Sequence, residues 1–182
     1  MTSQLTPKQI FESIQQTIDH YVVSLVSYSE AQFVYKSKPE VWSLGQLYEH
    51  LYITSNFFFL AQVVRCLEHR KGQMGGDKNQ YGDNIFKHNG FPPFKFKIPE
   101  VLKGPEPIAK TRTEYEHLLL KVIADAEKLI EAVTNDEGAY KCFHPVFGWL
   151  NAHEWYHNLD MHLRHHLRQQ QELTSLLPIN FV

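Results

Sequence analysis

Two histidines four residues apart, His162 and His166, are the residues of this chain best spaced to do chemistry. On a helix, positions i and i+4 are neighbours on one face, so two imidazole nitrogens can grip a single cation. A further nitrogen from another helix would make a three-histidine site with a free coordination position. His50, about two turns into the segment WSLGQLYEHL, is the expected third ligand. Three neutral imidazoles leave a divalent ion its full charge. A water in the free position then has its pKa drawn down toward about 7, which supplies hydroxide at neutral pH. A thiol in that position would be held as its thiolate. Imidazole suits several divalent ions. Zinc and nickel lead the expectation, with iron, manganese and copper as alternatives.

Other polar residues lie close enough in sequence to assist. His165 is about 60° around the helix from His162, at roughly 100° per residue. It could donate to a ligand, shuttle a proton or face solvent. Gln169 is one turn past His166, within reach of a hydrogen bond. Glu49 and Asp160 could orient a ligand imidazole through its second nitrogen, or equally face water. His153 and His157 form another H-x-x-x-H, but about half a turn away from the first pair. They are expected on a solvated or interfacial face.

These residues need helices to position them. Asn151 reads as the N-cap of the last helix, with Glu154 three residues on and Leu150 and Trp155 as a hydrophobic staple. Trp155, Leu159, His162, His166, Gln169 and Leu173 then share one stripe. Ser43 with Gln46, flanked by Trp42 and Leu47, starts the helix of His50, which is expected to run to His69 or Arg70. Its inner face reads Leu47, His50, Leu51, Thr54, Phe58 and Ala61. A first helix opens at Thr6-Pro7 and buries Ile10, Ile14, Ile18, Tyr21 and Leu25. It should end near Ser27 to Ser29, and residues 29–41 read as a connection. A third helix starts at Thr111 or Thr113, buries Tyr115, Leu119, Val122, Ala126, Leu129 and Val133, and stops at Asn135 to Gly138. Residues 139–148 read as another connection. Between the second and third helices, residues 71–107 are rich in glycine, proline and aromatics. They are expected as ordered coil over a bundle end, with 94–98 extended. Four amphipathic helices imply an all-α four-helix bundle.

Composition removes other classes. The chain has 182 residues, 43% hydrophobic, with a net charge of -2, so one domain with a real core is expected and no field for nucleic acid. The lysine–aromatic mixture over 87–97 does not outweigh that charge. No segment reads as a transmembrane span or a signal peptide. Cys66 and Cys142 form no CxxC, which suits a reducing compartment and a cytoplasmic protein. Both read as inert, with Cys142 the more reactive of the two by its loop position. Histidine is abundant: five of the eleven fall between His153 and His166.

Two motifs carry a family resemblance. Trp42, Ser43, Leu47, His50 and Leu51 give W-S-x-x-x-L-x-x-H-L. Phe147, Gly148, Leu150, Glu154 and Trp155 give F-G-x-L-x-x-x-E-W, followed by His162, His165, His166 and Gln169 as H-x-x-H-H-x-x-Q. In this order the pair resembles the DinB/YfiT-like superfamily of metal-binding bundles over most of the chain. The resemblance implies a four-helix bundle holding a divalent metal on His50, His162 and His166. It also implies a homodimer, with thiol S-transferases and a hydrolase among the relatives. Two readings stay open. One is a metal-dependent hydrolase or thiol S-transferase acting on a small molecule. The other is a non-catalytic metal-binding dimer in stress response or protein interaction.

Overall fold

A computed structural model describes residues 4–92 and 106–178. The extended run expected at 94–98 lies outside them. The last helix, α8 (Ala152–Ser175), is the centre of the fold. It is buried almost all round, with Trp155, Tyr156, Asn158, Leu159, Asp160, Met161 and Leu163 each at most 1% exposed. It packs on α1 (Pro7–Ser27), on α3 (Leu44–Ile53) and on α4 (Ala61–Leu67). The remaining long helix, α6 (Arg112–Glu127), lies against α1 and α3. The molecule is mostly helical, as the apolar stripes require.

Caps set the helix starts. Thr6, Ser43, Thr111 and Asn151 each exchange side-chain and backbone hydrogen bonds with the glutamine or glutamate three residues on. Thr111 thus begins the third helix, and Thr113 does not. Glu154 also pairs with Lys78, tying the N-terminus of α8 to the segment before residue 80. Asn151→Ala removes the acceptor for the Glu154 amide and should cost about 0.5–2 kcal/mol. A fall in thermal midpoint of about 2–4 °C per kcal/mol checks it. An unchanged midpoint counts against the cap.

Four local departures from the sequence reading have physical causes. Ser29 and Gln32 form a capping box of their own, so α2 (Glu30–Val34) interrupts the first connection. The His50 helix carries a π-helical segment from Thr54 to Leu60 before α4, and it ends at Leu67. The Thr54 hydroxyl donates to the His50 carbonyl at 2.6 Å where the segment begins. The wider turn moves the inner face by one residue. Ser55 and Phe59 are buried where Thr54 and Phe58 were expected, and Phe57 is left 65% exposed. The third helix breaks at Lys128-Leu129 and resumes as α7 (Ile130–Asn135).

The expected connection at 139–148 is instead a hairpin. β2 (Tyr140–His144) pairs antiparallel with β3 (Gly148–Leu150), and β1 (Gln73–Met74) adds to the other edge of β2. Gly148 is required there: its φ is +85°, and a Cβ would meet the Asp77 carbonyl oxygen at 2.8 Å. The long second connection also contains α5 (Gln80–His88). The all-α expectation therefore gains a small three-stranded sheet. No described helix is long and apolar enough to cross a membrane.

Candidate metal centre

α3 and α8 bring His50, His162 and His166 together. Their Nε2 atoms form a near-equilateral triangle: His50 to His162 is 3.2 Å, His50 to His166 3.1 Å and His166 to His162 3.1 Å. A tetrahedral ion with bonds of about 2.0–2.1 Å separates its ligand nitrogens by about 3.3–3.4 Å. The observed triangle is within a few tenths of an ångström of that. Hydrogen bonding alone cannot satisfy three such atoms, because each ring N–H points at one acceptor. The three nitrogens could hold one metal ion between them.

The site keeps these rings neutral, as metal ligation requires. Burial lowers the His50 pKa to about 4, helped by His165. Burial, then the nearby His50, lowers that of His166 to about 3. His162 is pushed well below its ordinary value by burial and by the adjacent imidazoles. His166 Nδ1 lies 2.8 Å from Gln169 Oε1. An amide oxygen only accepts, so Nδ1 carries the proton and Nε2 presents its lone pair to the triangle.

The walls are aromatic. Trp42 rests on His50 at 5.3 Å between ring centroids, and Phe59 on His162 at 4.8 Å. Phe91 stands edge-on to His165 at 5.3 Å. Trp42 thus touches the triad as well as flanking the cap. Phe91 belongs to the connection expected to cover the site, and α5 is what anchors it. The α5 N-cap Asn79 bonds to the Val146 carbonyl, and its C-cap Asn89 accepts from His157 and Arg164.

The other sequence candidates are placed differently. Glu49 is buried, but its carboxylate takes Lys110 at 2.6 Å and the Tyr115 hydroxyl at 2.9 Å in place of an imidazole. Asp160 accepts from Ser13 at 2.6 Å and from Arg164 at 2.8 Å. His165 is half-buried, with its ring 5.2 Å from that of His166, and burial lowers its pKa. His153 and His157 do not make a solvated face. His153 bonds to the Leu5 carbonyl at 2.8 Å, and His157, 6% exposed, reaches Asn89 Oδ1 at 2.7 Å. They fasten the N-terminal segment and α5 to α8.

Sequence reasoning passed over His144. Its Nδ1 accepts from the Val146 and Phe147 amides at 3.1 and 3.2 Å, closing the hairpin turn. Its ring stacks on Phe147 at 4.3 Å and meets Trp155 at 5.0 Å. The His-Pro step ahead of Phe-Gly was the one signal for it. Cys142 lies in β2, 1% exposed, and Cys66 is fully buried, so neither presents a surface thiol.

A family model described as the DinB superfamily matches residues 10–170, which take in all three histidines. Searches of curated proteins and of solved structures gave no match to the chain.

Proposed function

Because the chain belongs to the DinB superfamily, we propose that it binds one divalent metal through His50, His162 and His166 and works as a metal-dependent enzyme on a small molecule. The convergence of three Nε2 atoms within 3.2 Å of one another carries this reading. Among the described residues no fourth histidine, cysteine or carboxylate joins the group. That leaves room at the ion for water or substrate, which favours catalysis over a closed structural site. The aromatic walls lower the local polarity and so strengthen the field of the ion.

When bound, the metal supplies Lewis acidity, which suits hydrolysis or transfer of a thiol. Zinc or nickel is the proposed ion, with iron, manganese or copper as alternatives. Gln169 holds His166 in the ligating tautomer. His165, half-buried beside His166 and kept uncharged by burial, would be the base that takes a proton from a water or thiol held at the triad. A four-helix-bundle core, a homodimer and a cytoplasmic setting belong to the same proposal; sedimentation velocity of the purified protein tests the dimer.

Elemental analysis of protein purified without a polyhistidine tag tests the metal. Hydrolysis of an activated ester and cleavage of thiol conjugates by the loaded protein test the reaction. His165→Gln should keep the metal content of wild type and slow turnover by about 10²–10⁴-fold. Loss of metal in that variant, or undiminished turnover, would rule out His165 as the proton acceptor.

A further inference from the structure

Among the described residues, five buried polar atoms lack a hydrogen-bond partner: Asn158 Oδ1 and Nδ2, Ser55 Oγ, His162 Nδ1 and Gln170 Oε1. Asn158 and Ser55 are both 0% exposed. Each such atom costs about 1–3 kcal/mol if left alone, so one on a triad histidine, with others on the helical turns flanking the triad, requires a cause.

Their placement is specific. Asn158 is one turn before His162 on α8, and helical side chains lean toward the N-terminus. The His162 ring therefore lies over the turn that carries Asn158. Ser55 is on the π-helical segment between His50 and Phe59, whose rings lie 5.1 and 4.8 Å from that of His162. Thr54 bonds back to the preceding turn, whereas Ser55 does not, so its hydroxyl stays free to bond elsewhere. A His162 that ligates through Nε2 carries its proton on Nδ1 and needs an acceptor there. A buried water typically makes about three hydrogen bonds to otherwise unpaired groups.

We infer that Asn158 is a positioning residue for His162, acting through one buried water that it shares with Ser55. The water accepts a hydrogen bond from Nδ1–H and donates to Asn158 Oδ1 and Ser55 Oγ. Asn158 thereby does for His162 what Gln169 does directly for His166. The inference rests on the metal reading above.

The test compares wild type, Asn158→Leu, Asn158→Asp and Ser55→Ala, all without tags. Zinc affinity is measured by competition with a chromophoric chelator, and the thermal midpoint is measured in excess chelator. A nitrogen NMR spectrum of the metal-free protein reports the His162 tautomer. Asn158→Leu should weaken zinc binding by about 10–100-fold while the metal-free midpoint holds or rises, because an unpaired buried amide has gone. Its metal-free His162 should lose the single Nδ1–H tautomer. Asn158→Asp, which keeps the acceptor, should retain at least wild-type affinity. A purely structural asparagine predicts the reverse: a lower midpoint and unchanged affinity. Wild-type affinity in Asn158→Leu overturns the inference while leaving the metal site standing. Should Asn158→Leu fail to fold, the affinity of Ser55→Ala decides, and wild-type affinity there overturns it equally. Absence of zinc binding by wild type removes the metal reading and this inference together.

Discussion

His50→Ala and His166→Ala proteins, purified without a tag, are expected to keep their helical signal and lose their metal. Wild type should carry about one ion per chain. Four-ligand zinc sites contribute about 10–16 kcal/mol, or about 2.5–4 kcal/mol per ligand. Removing one imidazole of three should therefore weaken binding by about 10²–10³-fold. The fold should survive, because the apolar stripes of α1, α3, α6 and α8 do not depend on these side chains. Metal that binds only the native state also raises stability, by about 4 kcal/mol at a thousandfold excess over Kd. Chelation should then lower the wild-type midpoint by about 8–16 °C, at about 2–4 °C per kcal/mol. The same chelator should leave both variants unmoved. Equal metal content in wild type and His166→Ala would place the ion elsewhere and end the proposed chemistry.

Acid should unfold the metal-free protein well above the pH at which carboxylates protonate. Four histidines have folded pKa values brought down to about 3 or 4 from their ordinary 6.5: His50 and His157 at about 4, His144 and His166 at about 3, each mainly through burial. A depressed folded value means that the unfolded chain binds more protons. The stability from each neutral imidazole is thus complete above pH 6.5 and is lost as the pH falls through the folded values. At pH 4.5 each would forfeit about 2–3 kcal/mol, and together they approach a typical domain stability of about 5–15 kcal/mol. For His144 the geometry adds a reason, since protonating Nδ1 breaks both of its bonds to the turn amides. For His157 the attraction of Asp160 works against burial and softens the loss. The check is a circular-dichroism melt from pH 7 to pH 4.5 at constant salt, in chelator. A midpoint that falls by tens of degrees is expected, and His144→Gln should reduce the slope. A flat midpoint over that range contradicts the buried-neutral account of these rings.

The two predictions draw on the same residues from opposite sides. Rings that must be uncharged to ligate a cation are held uncharged by the packing that buries them. The helix that supplies two of them, α8, is also the most buried element of the fold. Site and core therefore share one set of contacts, and acid attacks both.

Residue types and their spacing were enough to determine much of this protein. The apolar stripe of α1, the capping boxes at Ser43 and Asn151, and the i,i+4 pair His162/His166 are local patterns, and local sterics and hydrogen bonding enforce them. His50 was legible because it is two turns past a strong cap, on a face that must turn inward. Only the tertiary structure decided the rest. Thr54's bond to its own preceding turn gives way to a π turn that exchanges Phe58 for Phe59 beside His162. Glu49 and Asp160 meet Lys110, Ser13 and Arg164, of which only Arg164 lies near its partner in the chain. His144, Phe91 and Asn89 find their places through a hairpin and a short helix in segments that read as connections along the chain. A side chain's partner across the fold depends on distances that sequence spacing does not encode, so the three histidines could be read along the chain and their surroundings could not.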